Sequence, residues 1–180
     1  NFDLRVQQAS SFIKNNFLEE SLTQYDLEIL ERSRSKRIYL SRQNVKRRKI
    51  INHERFRGIL IQHGFMEINP EMMSFKAMNI LINRGELFVG VNGAALTNML
   101  FLDDRSSAKL AILYPNTHID DYFYRMAKAL GIDFIGAWET KEKRLSMSLE
   151  VCIREYYYPS VSTSFEVDLD HFTDFIRRLI

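Results

Sequence analysis

The chain has 180 residues, 46% of them hydrophobic and 27% charged, the balance of a globular domain with one buried core and not of a disordered chain. Seven Gly and three Pro exclude collagen-like and linker architectures, and a single cysteine, Cys152, excludes an intramolecular disulfide scaffold and a cysteine-only zinc site. The net charge of +2 conceals +10 between Arg32 and Arg57, where 11 basic residues face Glu54 alone, and −8 elsewhere, a field that attracts nucleic acid, a membrane surface or a phosphorylated small molecule.

Phe2, Val6, Ala9 and Ile13 recur at helical spacing, and Ser21-Leu-Thr-Gln24 fits a capping box opening a second helix through Leu27 and Leu30. These helices precede any strand. Residues 1–35 are therefore set apart as a helical lead-in, packed outside a later sheet or continuing from a preceding domain. No apolar run approaches the roughly 18 residues that span a bilayer, and Asn1–Leu4 has none of the zones of a signal peptide. A soluble, cytoplasmic domain in a reducing compartment is expected, with coding sequence upstream of Asn1 because no initiator Met is present.

From Arg37 short strands alternate with helices. Ile38-Tyr39-Leu40 reads as a strand, about Asn52–His63 as a helix stopped by Gly64, and Phe65–Ile68 as the next strand. Ser74–Arg84 is helical, Leu87–Val91 a near-continuous apolar strand, and Gly93–Phe101 a helix entered directly from it. Lys109–Leu113 is another strand. Ile119, Phe123, Met126, Ala127 and Leu130 stripe a helix that stops at Gly131, and a strand follows at Phe134–Ala137. Beyond the polar stretch Glu139–Arg144 come a strand near Met147–Ile153 and a last helix, about Leu169–Leu179. This order predicts an α/β fold, a Rossmann-like parallel sheet with helices on both faces, over residues 36–180. Ligands of such sheets sit beyond the carboxyl ends of the strands, so the loops after Leu40, Ile68, Val91 and Leu113 are the ones to read.

The first of these loops, Ser41-Arg42-Gln-Asn-Val-Lys46-Arg47-Arg48-Lys49, fits either a solvated charge run or an anion site. Its position at the ligand edge favours a diphosphate, held by arginine forks and the Ser41 hydroxyl. The loop after Val91, Asn92-Gly93-Ala94-Ala95-Leu96-Thr97, has small residues at a helix start, where free N–H groups suit phosphate, although tight packing would use the same residues. In Asn69–Phe75, Ser74 is a helix cap, and the neighbouring residues, Glu71 among them, have room to meet a base or ribose. His53, His63, His118 and His171 lack metal-ligand spacing, and Asp103-Asp104 and Asp120-Asp121 read as loop and helix-start residues. Cys152 reads as a small core residue. No aromatics interleave with the basic run as a single-stranded nucleic-acid platform requires.

In their order, several segments resemble glycosyltransferase family 61, the capsular polysaccharide biosynthesis type. They are Ile38–Arg42 with Arg47-Arg48, Gly64-Phe65 with Asn69–Phe75, Val89–Phe101, Tyr122–Ala127 and Val167-Asp168. The resemblance covers about residues 36–180. It implies the C-terminal, donor-binding half of a GT-B enzyme that is inverting, metal-independent and free of cofactors. Its substrates would be a nucleotide sugar, UDP-linked by expectation, and a glycan acceptor, its partner an N-terminal acceptor-binding half of the same protein, and nucleic acid would not bind. Donor contacts would fall on Ser41, Arg42, Arg47, Glu71, Asn92, Gly93, Ala94, Ala95, Leu96 and Thr97, with the catalytic base on the N-terminal half. The family usually reads His-Gly-Ala-Gly-Leu-Thr-Asn where this chain has Asn92 and Ala95 in place of the His and the second Gly. Asn can donate a hydrogen bond but cannot carry a charge or shuttle a proton. A degenerate, non-catalytic domain and a basic nucleic-acid-binding module are the alternatives.

Overall fold

Parallel strands joined by helices are buried on both faces, and the apolar runs after Arg37 meet that demand. A computed structural model of the protein describes residues 1–16, 21–45, 48–103, 108–115, 120–139 and 164–180. Its strands are β1 (Arg37–Leu40), β2 (Phe65–Ile68), β3 (Leu87–Val91), β4 (Lys109–Pro115) and β5 (Asp133–Glu139). They form one sheet in the order β2-β1-β3-β4-β5, and every pairing is parallel. The helices are α1 (Phe2–Asn16), α2 (Gln24–Arg32), α3 (His53–Gln62), α4 (Phe75–Arg84), α5 (Tyr122–Ala129) and α6 (Leu169–Leu179). The fold is α/β and Rossmann-like, as the alternation predicts. The strand expected near Met147–Ile153, with Cys152, lies outside the described residues.

Successive strand residues point to opposite faces, and the core divides accordingly. Ile38, Leu40, Ile68, Phe88, Leu110 and Ile112 pack with α4, α5 and the apolar residues of α1 and α2. Tyr39, Phe65, Val89, Val91, Ala111 and Leu113 pack on the other side with Phe56 and Leu60 of α3 and Phe172 and Ile176 of α6. From β1 the chain winds over one face to β2, then over the other, past β1, to β3. Right-handed crossovers in opposite directions require helices on opposite faces, which is where α3 and α4 lie. The carboxyl ends of β1 and β3, neighbours in the sheet, therefore form the switch point where open α/β sheets take ligands.

Two local details differ from expectation. The capping box at α2 uses Thr23 and Asp26 instead of Ser21 and Gln24: Thr23 Oγ1 accepts from Asp26 N at 3.1 Å, and Asp26 Oδ2 accepts from Thr23 N at 2.8 Å. Asp26 is also buried and accepts from Ser74 N at 3.2 Å, a tertiary tie that Gln24 does not make. The segment after β3 is a 3₁₀ helix, Ala94–Phe101, in place of an α-helix. Its buried side chains are Leu96, Met99 and Phe101, of which Leu96 and Met99 stand three apart, one 3₁₀ turn.

Candidate functional site

The switch-point crevice is built from the two loops that leave β1 and β3. Ser41, directly after β1, is buried, and its N–H donates to Ile68 O at 2.8 Å, stitching the end of β1 to β2. Its side chain is hydrogen-bonded to Tyr39, whose hydroxyl burial holds well above the ordinary tyrosine range. Arg42, one residue on, leaves the sheet and lies over Gly93. A Cβ added at Gly93 would stand 2.3 Å from Arg42 Nη1 and 2.8 Å from Cζ, so only glycine leaves room for the guanidinium in this position.

Arg42 is half-buried, and among the described residues its guanidinium has no hydrogen-bond acceptor. Burial lowers its pKa first, the neighbouring Arg48 lowers it further, and the Glu71 carboxylate partly offsets both. It stays charged at any physiological pH. A half-buried cation beside a second cation, with no carboxylate of the described residues in contact, is an electrostatic arrangement that an anion relieves.

Asn92 closes the other side. It is fully buried, its N–H donates to Leu113 O at 2.8 Å, and its side-chain Nδ2 donates to Asp120 Oδ2 at 3.0 Å. Asp120 also accepts from Tyr122 N at 3.0 Å through Oδ1, so one carboxylate joins the start of α5 to the end of β3. A carboxylate only accepts, which orients the Asn92 amide with its nitrogen toward Asp120. The carbonyl of Asn92 accepts from Arg48 Nη1 at 2.6 Å. Arg48 has φ 56, a left-handed conformation uncommon outside glycine.

The remaining predicted residues sort by exposure. Ala94 and Thr97 are exposed and Ala95 half-buried at the start of the 3₁₀ helix, where the first N–H groups lack intrahelical acceptors. The Thr97 hydroxyl donates to Ala94 O at 2.6 Å. Leu96 is fully buried, and a Cβ at Gly90 would stand 2.6 Å from its Cδ2, so this side chain serves packing. Glu71 is exposed on the short 3₁₀ turn Pro70–Met72, its N–H accepted by Asn69 Oδ1 at 3.3 Å. Arg47 lies outside the described residues, as do His118 and Asp104. Arg48 as a bridge and Asp120 as the partner of Asn92 were not read from the sequence: each bond joins loops 44 and 28 residues apart, and no spacing rule covers that distance.

The described residues of the basic run do not gather on one surface. Lys36 pairs with Glu86, and Arg37 Nη1 donates to His63 O at 2.7 Å, both at the amino edge of the sheet. Arg57 Nε donates at 2.6 Å to Glu67, which also stands 3.1 Å from His53 Nε2 on the face covered by α3. Of the described residues of the run, Arg42 and Arg48 meet at the carboxyl edge. Among the described residues no three His, Cys, Asp or Glu side chains come together as metal ligands, and no helix is long and apolar enough to cross a membrane.

The sequence profile of the family described as Glycosyltransferase 61 matches residues 2–109. The match starts in α1, ends at the first residue of β4 and contains both loops of the switch point. It begins and ends earlier than residues 36–180, the span expected from the motifs. No curated protein matches the chain.

Proposed function

Because the chain belongs to the glycosyltransferase 61 family, we propose that its switch-point crevice binds a nucleotide-sugar donor, UDP-linked by preference. On this reading the domain is the donor-binding half of an inverting, metal-independent GT-B enzyme that glycosylates a glycan acceptor in a bacterial cytoplasm. The observation that carries it is Arg42, a half-buried guanidinium without an acceptor among the described residues, laid on Gly93 at the switch point.

In an inverting transfer the acceptor oxygen attacks the anomeric carbon opposite the leaving group. The carbon–oxygen bond to the diphosphate breaks, and the hydroxyl proton passes to a base. Negative charge grows on the leaving phosphate, and donors already in place there lower the barrier. Arg42 and the first N–H groups of the 3₁₀ helix fill that role, with Arg47 as a second cation. Exposed Ala94 and half-buried Ala95, both small, let phosphate approach the backbone, and Glu71 is assigned to the ribose or base. The base is assigned to an N-terminal acceptor-binding half.

A non-catalytic binding domain is the second reading, favoured by Asn92, which offers no charge and no transferable proton at a position where the family carries His. The scatter of Lys36, Arg37 and Arg57 away from the crevice speaks against a nucleic-acid track. A calorimetric screen of UDP-, GDP- and CMP-linked sugars tests both donor readings together. We expect saturable binding of at least one, displaced by its free nucleoside diphosphate. No binding of any, alongside strongly salt-dependent binding of arbitrary DNA, would overturn them.

A further inference from the structure

We propose that Arg48 is a positioning residue of the anion site and not one of its ligands. The inference rests on the donor-binding reading of the crevice and deepens it. Arg48 belongs to the loop after β1, yet its Nη1 donates to the carbonyl of Asn92 after β3 at 2.6 Å. It is therefore a brace across the mouth of the switch point, joining the two loops that would hold the donor. The carbonyl it holds belongs to the Asn92–Gly93 peptide, the surface on which the Arg42 guanidinium lies. Asn92 is already fixed through its side-chain nitrogen by Asp120 and through its N–H by Leu113, and Arg48 holds its carbonyl, which leaves only the buried Oδ1 without a partner among the described residues.

Two further features agree with a brace. Arg48 is the one non-glycine residue with positive φ among the described residues, at 56°, a conformation that persists where the surrounding structure over-determines it. Its charge acts on Arg42, so a guanidinium whose Nη1 is bonded to a carbonyl sits beside one with no acceptor among the described residues. The first is committed to the protein, and the second is left for the ligand. A carbonyl oxygen bordering an anion site is also repulsive, and the guanidinium that binds it neutralises that repulsion.

The test uses calorimetric titration with UDP and with inorganic pyrophosphate on the wild type, Arg48→Ala, Arg48→Gln and Arg48→Lys, each checked for folding by thermal unfolding. Arg48→Gly, which adopts φ 56 without strain, replaces Arg48→Ala if that variant does not fold. A brace predicts that Arg48→Ala weakens both ligands by about tenfold to a hundredfold. It predicts that Gln, neutral but still an N–H donor, and Lys recover most of that loss. It also predicts coupling: in an Arg42→Ala background the further loss from Arg48→Ala falls to about twofold or less, because Arg48 acts through the position of Arg42. If Arg48→Gln binds as weakly as Arg48→Ala while Lys recovers, Arg48 contacts phosphate by its charge, and the inference is overturned with the donor reading intact. If the wild type binds neither ligand, the donor reading itself fails.

Discussion

At the scale of single residues, the site turns on how one guanidinium is held without being satisfied. On the donor-binding proposal, Arg42→Ala would remove a charge-assisted contact to the diphosphate and is expected to cost about 1.5–3 kcal/mol of nucleoside-diphosphate affinity; unchanged affinity by calorimetry would reduce the basic loop to a solvated surface. Gly93→Ala reaches the same cation through space. The new Cβ would collide with Arg42 Nη1, 2.3 Å away, displacing the guanidinium, and it would strain a backbone at φ 158 and ψ −179 that is essentially reserved for glycine. We expect a lowered melting temperature together with affinity reduced at least about fivefold when measured well below it. Asn92→His tests the departure from the family. A His there faces Asp120, whose carboxylate now accepts from Asn92 at 3.0 Å, and that neighbour favours the cationic ring. On the proposed function, with the proposed acceptor-binding half, donor and acceptor supplied, turnover should rise more than affinity, because the cation gains most as charge develops on the leaving group. Equal or lower turnover with affinity intact would mean the site is built around Asn. The site was legible in sequence to the extent that it follows from strand ends: Arg42 and Gly93 occupy corresponding places after adjacent strands, and the fold brings them together. Arg48 and Asp120 were not legible in these roles, because their partners are chosen by tertiary contact. Leu96 shares a motif with exposed residues, and only its burial separates it from them.

At the scale of elements, Asp26 shows how a cap can also act as a joint. Burial alone would raise the pKa of its carboxyl, but hydrogen bonds from Thr23 and Ser74 outweigh that and hold it below the ordinary value of 3.8. A carboxyl whose folded-state pKa lies below its unfolded one adds stability above the unfolded value and loses it as pH falls through the folded one. Wild-type stability should therefore include a contribution that is full at pH 7 and fades below about pH 4. Asp26→Asn should lower stability at pH 7 by about 1–2 kcal/mol and lack that part of the acid dependence. Urea melts of both proteins at pH 7 and pH 3 check it: a gap of the same size at both pH values would mean the carboxylate charge contributes nothing. The elements themselves were largely legible. The continuous apolar run of Ile38, Tyr39 and Leu40, buried on both faces of the sheet, and the helical stripe through Phe123, Met126 and Ala127 are both written in apolar spacing. The 3₁₀ helix was not, because Ala94–Phe101 is apolar enough for either repeat. Nor was the true capping box, since Ser21 and Thr23 each stand three residues before a residue that can reach back.

At the scale of the whole molecule, the question is whether the first two helices belong to the sheet that follows them. Set apart by sequence, they are bound to it by several kinds of contact. Val6 is buried in the same core as Phe123 and Met126. The Phe2 ring meets Tyr122 edge-on at 5.7 Å and lies under Arg125 at 4.4 Å. The Ser10 hydroxyl donates to Leu100 O at 2.6 Å, and Asp26 holds the cap of α4. The profile match also runs without a break from α1 into β4. Burying an aliphatic or aromatic side chain stabilises by about 1.5–3 kcal/mol. Removing residues 1–35 withdraws Val6 wholly and Phe2, Ile13, Ile29 and Leu30 in part, so a chain starting at Lys36 should lose at least about 3 kcal/mol, a large share of the 5–15 kcal/mol typical of a domain. It should also bare Phe123 and Met126 and associate with itself, since an apolar patch of that kind seeks cover. Urea unfolding followed by fluorescence, with sedimentation of the native state, separates the possibilities. A lower midpoint, a smaller denaturant slope and concentration-dependent association are expected if the helices complete this domain. An unchanged midpoint in a monodisperse chain would instead make them a lead-in from elsewhere, and the folding unit would start at β1.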